Sequence, residues 1–140
     1  MSTRQRGPVV IDTNVFGADL VPGSPLTARY EPIIVGRPVV ISFQTVAELH
    51  FGALRRNWGE TRMRRLEARV REAEVVYPGP ELVVVYAQLR VECERIGHGL
   101  SQRDHDADRW VAATALRLRV PLVSNDHIFR DVPGLDLESA

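Results

Sequence analysis

Four acids in this 140-residue chain stand where carboxylates could be brought together: Asp12, Glu48, Asp108 and Asp126. Asp12 closes the β-branched run Pro8–Ile11 and opens Asp12-Thr13-Asn14. Glu48 falls in the first turns of the helical segment after the run Pro38–Ser42, and Asp126 follows Pro121–Ser124 in Ser124-Asn125-Asp126. Asp108 stands near the start of the alanine-rich helical stretch Asp106–Leu118. Taken singly, each has an ordinary structural role. Asp12 suits a turn or helix cap, Glu48 a solvated helix face, Asp108 the positive end of a helix dipole, and Asp126 a cap for a short turn over His127–Arg130. Taken together they point to different chemistry. Neighbouring carboxylates repel one another unless they are protonated or bridged by cations. Hard divalent cations such as Mg²⁺ and Mn²⁺ take oxygen ligands, so the pattern reads as a pocket for one or two such ions.

Competing uses of an acid pocket fail on composition. All 18 basic side chains are arginine and none is lysine. Receiver domains and haloacid-dehalogenase-type phosphatases, which also place an aspartate after the first strand, need a lysine, as does a phosphate-cradling P-loop. The second aspartate that the phosphatases use is absent from Asp12-Thr13-Asn14. Net charge is zero, so attraction to a polyanion must come from local patches. Arginines 55, 56, 62, 64, 65, 69 and 71 form one such patch, with Arg64 and Arg65 as candidate contacts to a phosphate backbone or a partner. Interleaved with Glu60, Glu67, Glu72 and Glu74, the same residues also read as a solvated face. The lone Cys93 forms no intramolecular disulfide and reads as a small buried apolar residue. With neither a signal-like segment nor a long apolar run, the expectation is a soluble, cytoplasmic protein that does not engage membranes.

The elements that must position these acids alternate. Strand-like runs are expected at Pro8–Ile11, Pro38–Ser42, Glu74–Tyr77, Pro121–Ser124 and Leu135–Leu137. Those apolar on both faces fit parallel strands covered by helices on each side. Ser24-Pro25 signals a helix start, with Pro32 expected to break or kink that helix. Further helices are expected over Gln44–Asn57, Glu60–Ala73, Glu81–Ile96 and Asp106–Leu118. In the third, Leu82, Val85, Leu89 and Ile96 should share the apolar stripe. This alternation implies an α/β layered fold, in which ligands bind beyond the carboxyl ends of the strands. One domain over residues 1–140 is expected, with residues 1–7 a flexible leader.

The segments Val9–Asn14, Ser42–Leu49, Asp108–Ala115 and Pro121–Phe129, in that order, resemble the PIN-domain family. They look most like the VapC-type toxins of bacterial toxin–antitoxin pairs. The resemblance implies a PIN-like three-layer domain with a central, mostly parallel five-stranded sheet. It also implies endonucleolytic hydrolysis of RNA, with Asp12, Glu48, Asp108 and Asp126 holding Mg²⁺ or Mn²⁺ that activates water. Thr13, Asn14, Thr45 and Ser124 fall where the family keeps small polar residues near the metal. Asp104 and Asp106, in the long stretch His98–Asp106, are expected to serve the loop and cap rather than the metal. A cognate antitoxin and a homodimer are the implied partners, and Phe51, Leu54 and Trp58 lie on the helices such an antitoxin would cover or else belong to the core. The alternative is a partner- or RNA-binding module with weak or no nuclease activity.

Overall fold

A computed structural model describes residues 7–140, so the leader expected over residues 1–7 lies, apart from Gly7, outside the described residues. The chain runs β1 (Val9–Ile11), α1 (Thr13–Phe16), α2 (Pro25–Ile34), β2 (Val39–Ser42), α3 (Phe43–Arg55) and α4 (Glu60–Arg71). It continues through β3 (Glu74–Val76), α5 (Pro80–Ile96), α6 (Asp106–Leu118), β4 (Leu122–Val123) and β5 (Leu137–Glu138). Short 3₁₀ turns occupy Ala18–Leu20, Gly99–Ser101, Arg103–His105 and His127–Phe129. The strands form one sheet in the order β3-β2-β1-β4-β5, and every pairing is parallel.

The sheet explains why β1 is uniformly apolar. Val9, Val10 and Ile11 are fully buried because each face of the central strand is covered. Val10 packs into a cluster with Leu82, Leu89 and Cys93 of α5 and Val111 to Ala113 of α6. Val9 and Ile11 point to the other face, against Val15, Phe16 and Tyr30. Chain order reverses at β1, with β2 on one side and β4 on the other. This is the switch point beyond which α/β sheets bind ligands. Asp12 follows β1 and Ser124 follows β4, so both stand at that crevice.

Three expectations change in detail. Pro32 does not break α2, which runs on to Ile34. Pro32 sits in the last turn, where losing one N–H removes little from a helix about to end. In α5 the buried row is Leu82, Leu89 and Cys93, while Ile96, the last helical residue, is 59% exposed. The fifth strand pairs at Leu137–Glu138 rather than at Leu135–Leu137. The Leu135 N–H instead donates to Val132 O in the preceding turn. Among the described residues no helix is long and apolar enough to cross a membrane.

One buried cation organises the loop before α6. Arg109, only 2% exposed, donates to Leu100 O at 2.9 Å, to Gln102 O at 2.5 Å and to Tyr86 Oη at 3.3 Å. It also pairs with Asp106 at 3.4 Å, and Tyr86 donates to the same carboxylate. Tyr86 stacks on Trp110, whose ring meets Phe43 of α3 edge-on. Removing the guanidinium strands buried acceptors. Arg109→Met should therefore lower unfolding free energy by about 2–4 kcal/mol in urea titrations. Arg109→Lys should recover little of this, because one ammonium cannot reproduce the fork. Wild-type stability in both variants would show that the loop is held by other contacts.

Candidate functional site

Asp12 is built into the end of β1. Its N–H continues the sheet ladder to Val123 O, and its side chain caps α1 by accepting from Thr13 N–H at 2.8 Å. The other carboxylate oxygen accepts from Ser124 Oγ at 2.8 Å. Both strand ends beside the crevice therefore hold this one carboxylate, which is 6% exposed. Burial pushes its pKa from 3.8 up to about 6, opposed by the hydrogen bonds from Ser124 and Thr13 and reinforced by the charges of Asp108 and Glu48. The fold thus brings Asp12, Glu48 and Asp108 within electrostatic range of one another.

Glu48 arrives through the start of α3. Ser42 caps that helix by accepting from Gln44 N–H at 3.1 Å, and Thr45, fully buried, accepts from Thr13 Oγ1 at 3.0 Å. This contact ties the first turns of α1 and α3 together, and Glu48 lies one turn beyond Thr45 on the same side. Gly17 allows the close approach: a Cβ there would lie 2.8 Å from Leu49 Cδ2. Asn14 is exposed and lines the same cleft as Glu48.

Asp108 sits in the first turn of α6, half-buried, with Oδ2 at 2.8 Å from His105 Nδ1. Sequence reasoning did not assign His105 this contact, although its i, i+3 spacing from Asp108 carries the signal. Asp106 is tied to Tyr86 and Arg109, Asp104 is exposed, and neither is among the charges acting on Asp12. Asp126 differs from the other three acids. Its N–H donates to Ser124 Oγ at 3.0 Å, while its carboxylate caps the 3₁₀ turn by accepting from Ile128 N–H at 3.0 Å. Its charge is not among those acting on Asp12. Among the described residues, no three His, Cys, Asp or Glu side chains lie close enough, as they stand, to hold one metal ion. The donor chemistry nevertheless suits a hard cation: Asp12 is buried, and the charges of two further oxygen-only side chains, Asp108 and Glu48, act on it.

Much of the arginine patch on α4 is engaged within the chain. Arg62 lies over the Trp58 ring at 3.9 Å and donates to Leu20 O. Arg69 pairs with Asp19 at 3.3 Å and covers Phe16. Arg65 donates to Asp19 O, and Arg64 pairs with Glu60 on the surface.

A family model for the PIN domain matches residues 9–135. The chain belongs to the PIN-domain family. Nuclease activity is general for that family. No curated protein sequence matches this PIN domain. Solved structures share its fold. VapBC2 from Rickettsia felis bound to a promoter DNA fragment aligns with a TM-score of 0.77 at 22% identity, covering 94% of this chain and 98% of that one. DNA-bound VapBC from Salmonella typhimurium aligns at 0.75 and 23%, covering 96% and 98%. VapBC-5 from Mycobacterium tuberculosis, a member of the VapBC family of toxin-antitoxin systems, aligns at 0.66 and 24%, covering 94% and 96%. The all-parallel five-stranded sheet matches the PIN-like α/β expectation.

The raised pKa of Asp12 has a measurable consequence for this PIN domain. The folded chain holds that proton more tightly than the unfolded chain does. In metal-free solution, stability should therefore be lowest above about pH 6 and rise as pH falls from there toward 3.8. In EDTA at neutral pH, Asp12→Asn should be more stable than wild type by on the order of 2–3 kcal/mol. The gap should close as pH approaches 4. Coincident unfolding curves for the two proteins at pH 7.5 would count against the buried charge.

Proposed function

We propose that this chain is a Mg²⁺- or Mn²⁺-dependent endoribonuclease acting as the toxin of a bacterial toxin–antitoxin pair. The observation that carries the reading is the placing of Asp12 at the carboxyl end of the central strand of a PIN domain, buried and with Asp108 and Glu48 near enough to raise its pKa. Asp12, Glu48 and Asp108, with Asp126 at the rim, would hold the metal. When bound, it supplies Lewis acidity that makes water nucleophilic at neutral pH and offsets phosphate charge. The protein's own part is orientation. Ser124 Oγ and Thr13 N–H fix the two oxygens of Asp12, His105 fixes one oxygen of Asp108, and the Thr13–Thr45 bond sets the start of the helix carrying Glu48. Such support of ligands by neighbouring hydrogen bonds commonly governs metal affinity.

The substrate is RNA, with Arg64 and Arg65 as exposed contacts to its backbone. The partners are a cognate antitoxin and a second copy of the chain, and the place of action is the cytoplasm. Antitoxin docking is supported by Phe51 and Leu54, which are 63% and 69% exposed one turn apart on α3. The same pair supports the second reading, a partner- or RNA-binding module with weak or no nuclease activity. The absence of a closed metal-ligating group among the described residues also favours that reading.

Incubation of total RNA with the purified protein, followed by mapping of the ends, separates the two. The nuclease should cut with Mn²⁺ or Mg²⁺, leave 5′-phosphate and 3′-hydroxyl ends, and stop in EDTA. Asp12→Asn and Asp108→Asn should fall below detection while remaining folded, and Ser124→Ala should lose about tenfold. Undiminished cleavage in EDTA would sink the metal mechanism. Replacing both Arg64 and Arg65 with Ala should flatten the dependence of RNA affinity on salt by about one power for each phosphate interaction removed.

A further inference from the structure

A cleft of about 430 Å³ opens beside the acids, between α1 with the turn after it and α3. Glu48, Gly52 and Arg56 follow one another at i, i+4 and i+8 along its α3 wall. They present an acid, a gap and a base in one row. The gap is real: a Cβ on Gly52 would lie 3.2 Å from Arg56 Nη1, so the guanidinium folds back along the helix over the glycine. Among the described residues the Arg56 guanidinium has no ion pair or hydrogen bond, unlike those of Arg62, Arg64, Arg65 and Arg69 nearby. Trp58, which also lines the cleft, has a buried indole N–H without a hydrogen-bond partner. The remaining wall is largely apolar, formed by Leu20, Leu49 and Ala53.

We infer that this cleft is a nucleoside subsite, receiving the base of an RNA nucleotide next to the cleaved phosphodiester while Arg56 pairs with a flanking phosphate. The inference rests on the ribonuclease reading and deepens it. An apolar slot with a few polar groups, of a size that takes small ligands, suits an unstacked base. A free guanidinium suits phosphate better than any group in the protein's own wall. A phosphate on Arg56 places the chain of the substrate along the Glu48 row, toward Asp12. A protein side chain would fill the apolar part equally well. The position of the cleft, sharing Thr13, Asn14 and Glu48 with the acid site, favours the substrate as occupant.

The test uses the full chain with Mn²⁺ and single-stranded oligoribonucleotides carrying one abasic ribose at each position around a mapped cut. Wild type should lose about tenfold or more in kcat/KM at one position flanking the cut, mainly through KM. Gly52→Leu fills the cleft beside Glu48, so Mn²⁺ binding is measured alongside to show that this acid is undisturbed. Its first clash is with the flexible end of Arg56, and leucine favours helix, so the fold should persist. Gly52→Leu should cleave intact RNA at least about tenfold less efficiently and become indifferent to the abasic position, whereas Arg56→Gln should lose about tenfold yet keep its sensitivity to that position, with Mn²⁺ binding by titration calorimetry unchanged in both. Equal cleavage of all abasic substrates by wild type, or wild-type kcat/KM in Gly52→Leu, overturns the subsite and leaves the ribonuclease reading standing. Loss of inhibition by a co-expressed antitoxin in Gly52→Leu, with RNA cleavage intact, gives the cleft to a protein side chain and likewise overturns it. If wild type shows no Mn²⁺-dependent cleavage of any RNA, the ribonuclease reading itself fails and the subsite falls with it.

Discussion

Burying a carboxylate at the end of a central strand is costly unless something compensates, and here the neighbours make it costlier. Asp12 is held by a hydroxyl and a backbone N–H, yet two further acids act on it. A structural acid would be placed beside an arginine, of which this chain has many; Arg109 and Arg37 show how readily it forms such pairs. Among the described residues no arginine pairs with Asp12. The surrounding elements make sense as supports for that unfavourable arrangement: the parallel ladder fixes Asp12 and Ser124 side by side, and the Thr13–Thr45 bond joins the helix starts. Arg109 braces the loop that carries His105 against Asp108.

Strain of this kind is tolerable because the rest of the molecule is conventional. Two apolar clusters cover the two faces of the sheet, and the central strand contributes alternate side chains to each. Burial on that scale can offset one unfavourable charge site. The acids stand on strand ends and first helical turns, where backbone geometry is well determined, rather than on a long loop. This is where precise placement is most easily maintained.

Much of this was legible in the sequence, for reasons that differ between elements. β1, β2 and β4 are short apolar runs, β-branched in the first two and buried on both faces, a pattern that suits a covered parallel strand. Asp108 is marked by its place near the start of the alanine-rich helix, and Asp12 and Glu48 by their offsets from those runs. Asp126 is marked in the same way, but its offset could not distinguish a carboxylate facing the crevice from one capping a turn. Its hydrogen bond from Ile128 N–H is the kind of local alternative that competes for every aspartate after a strand. Ile96 and Pro32 departed from expectation because helix ends obey different rules from helix interiors: a stripe residue at the last position leaves the packed face, and a proline in the last turn breaks little. Arg109 was invisible as a brace. Between Asp108 and Trp110 it looks like any helix arginine, and its acceptors are backbone oxygens of a loop that no periodicity describes.

The hydrogen bond between Ser124 and Asp12 joins residues 112 positions apart. Glu48 and Asp108 come from two further parts of the chain, so no fragment contains the site. Contacts of such separation form late, after loop-closure entropy has been met by the bulk of the sheet. Partly folded or locally unfolded chains would keep helices and some strand pairs but lack the assembled acids. Folding is then the activation step for whatever this crevice does. Under the proposed toxin reading, the hazard would exist only in chains that have completed the native sheet.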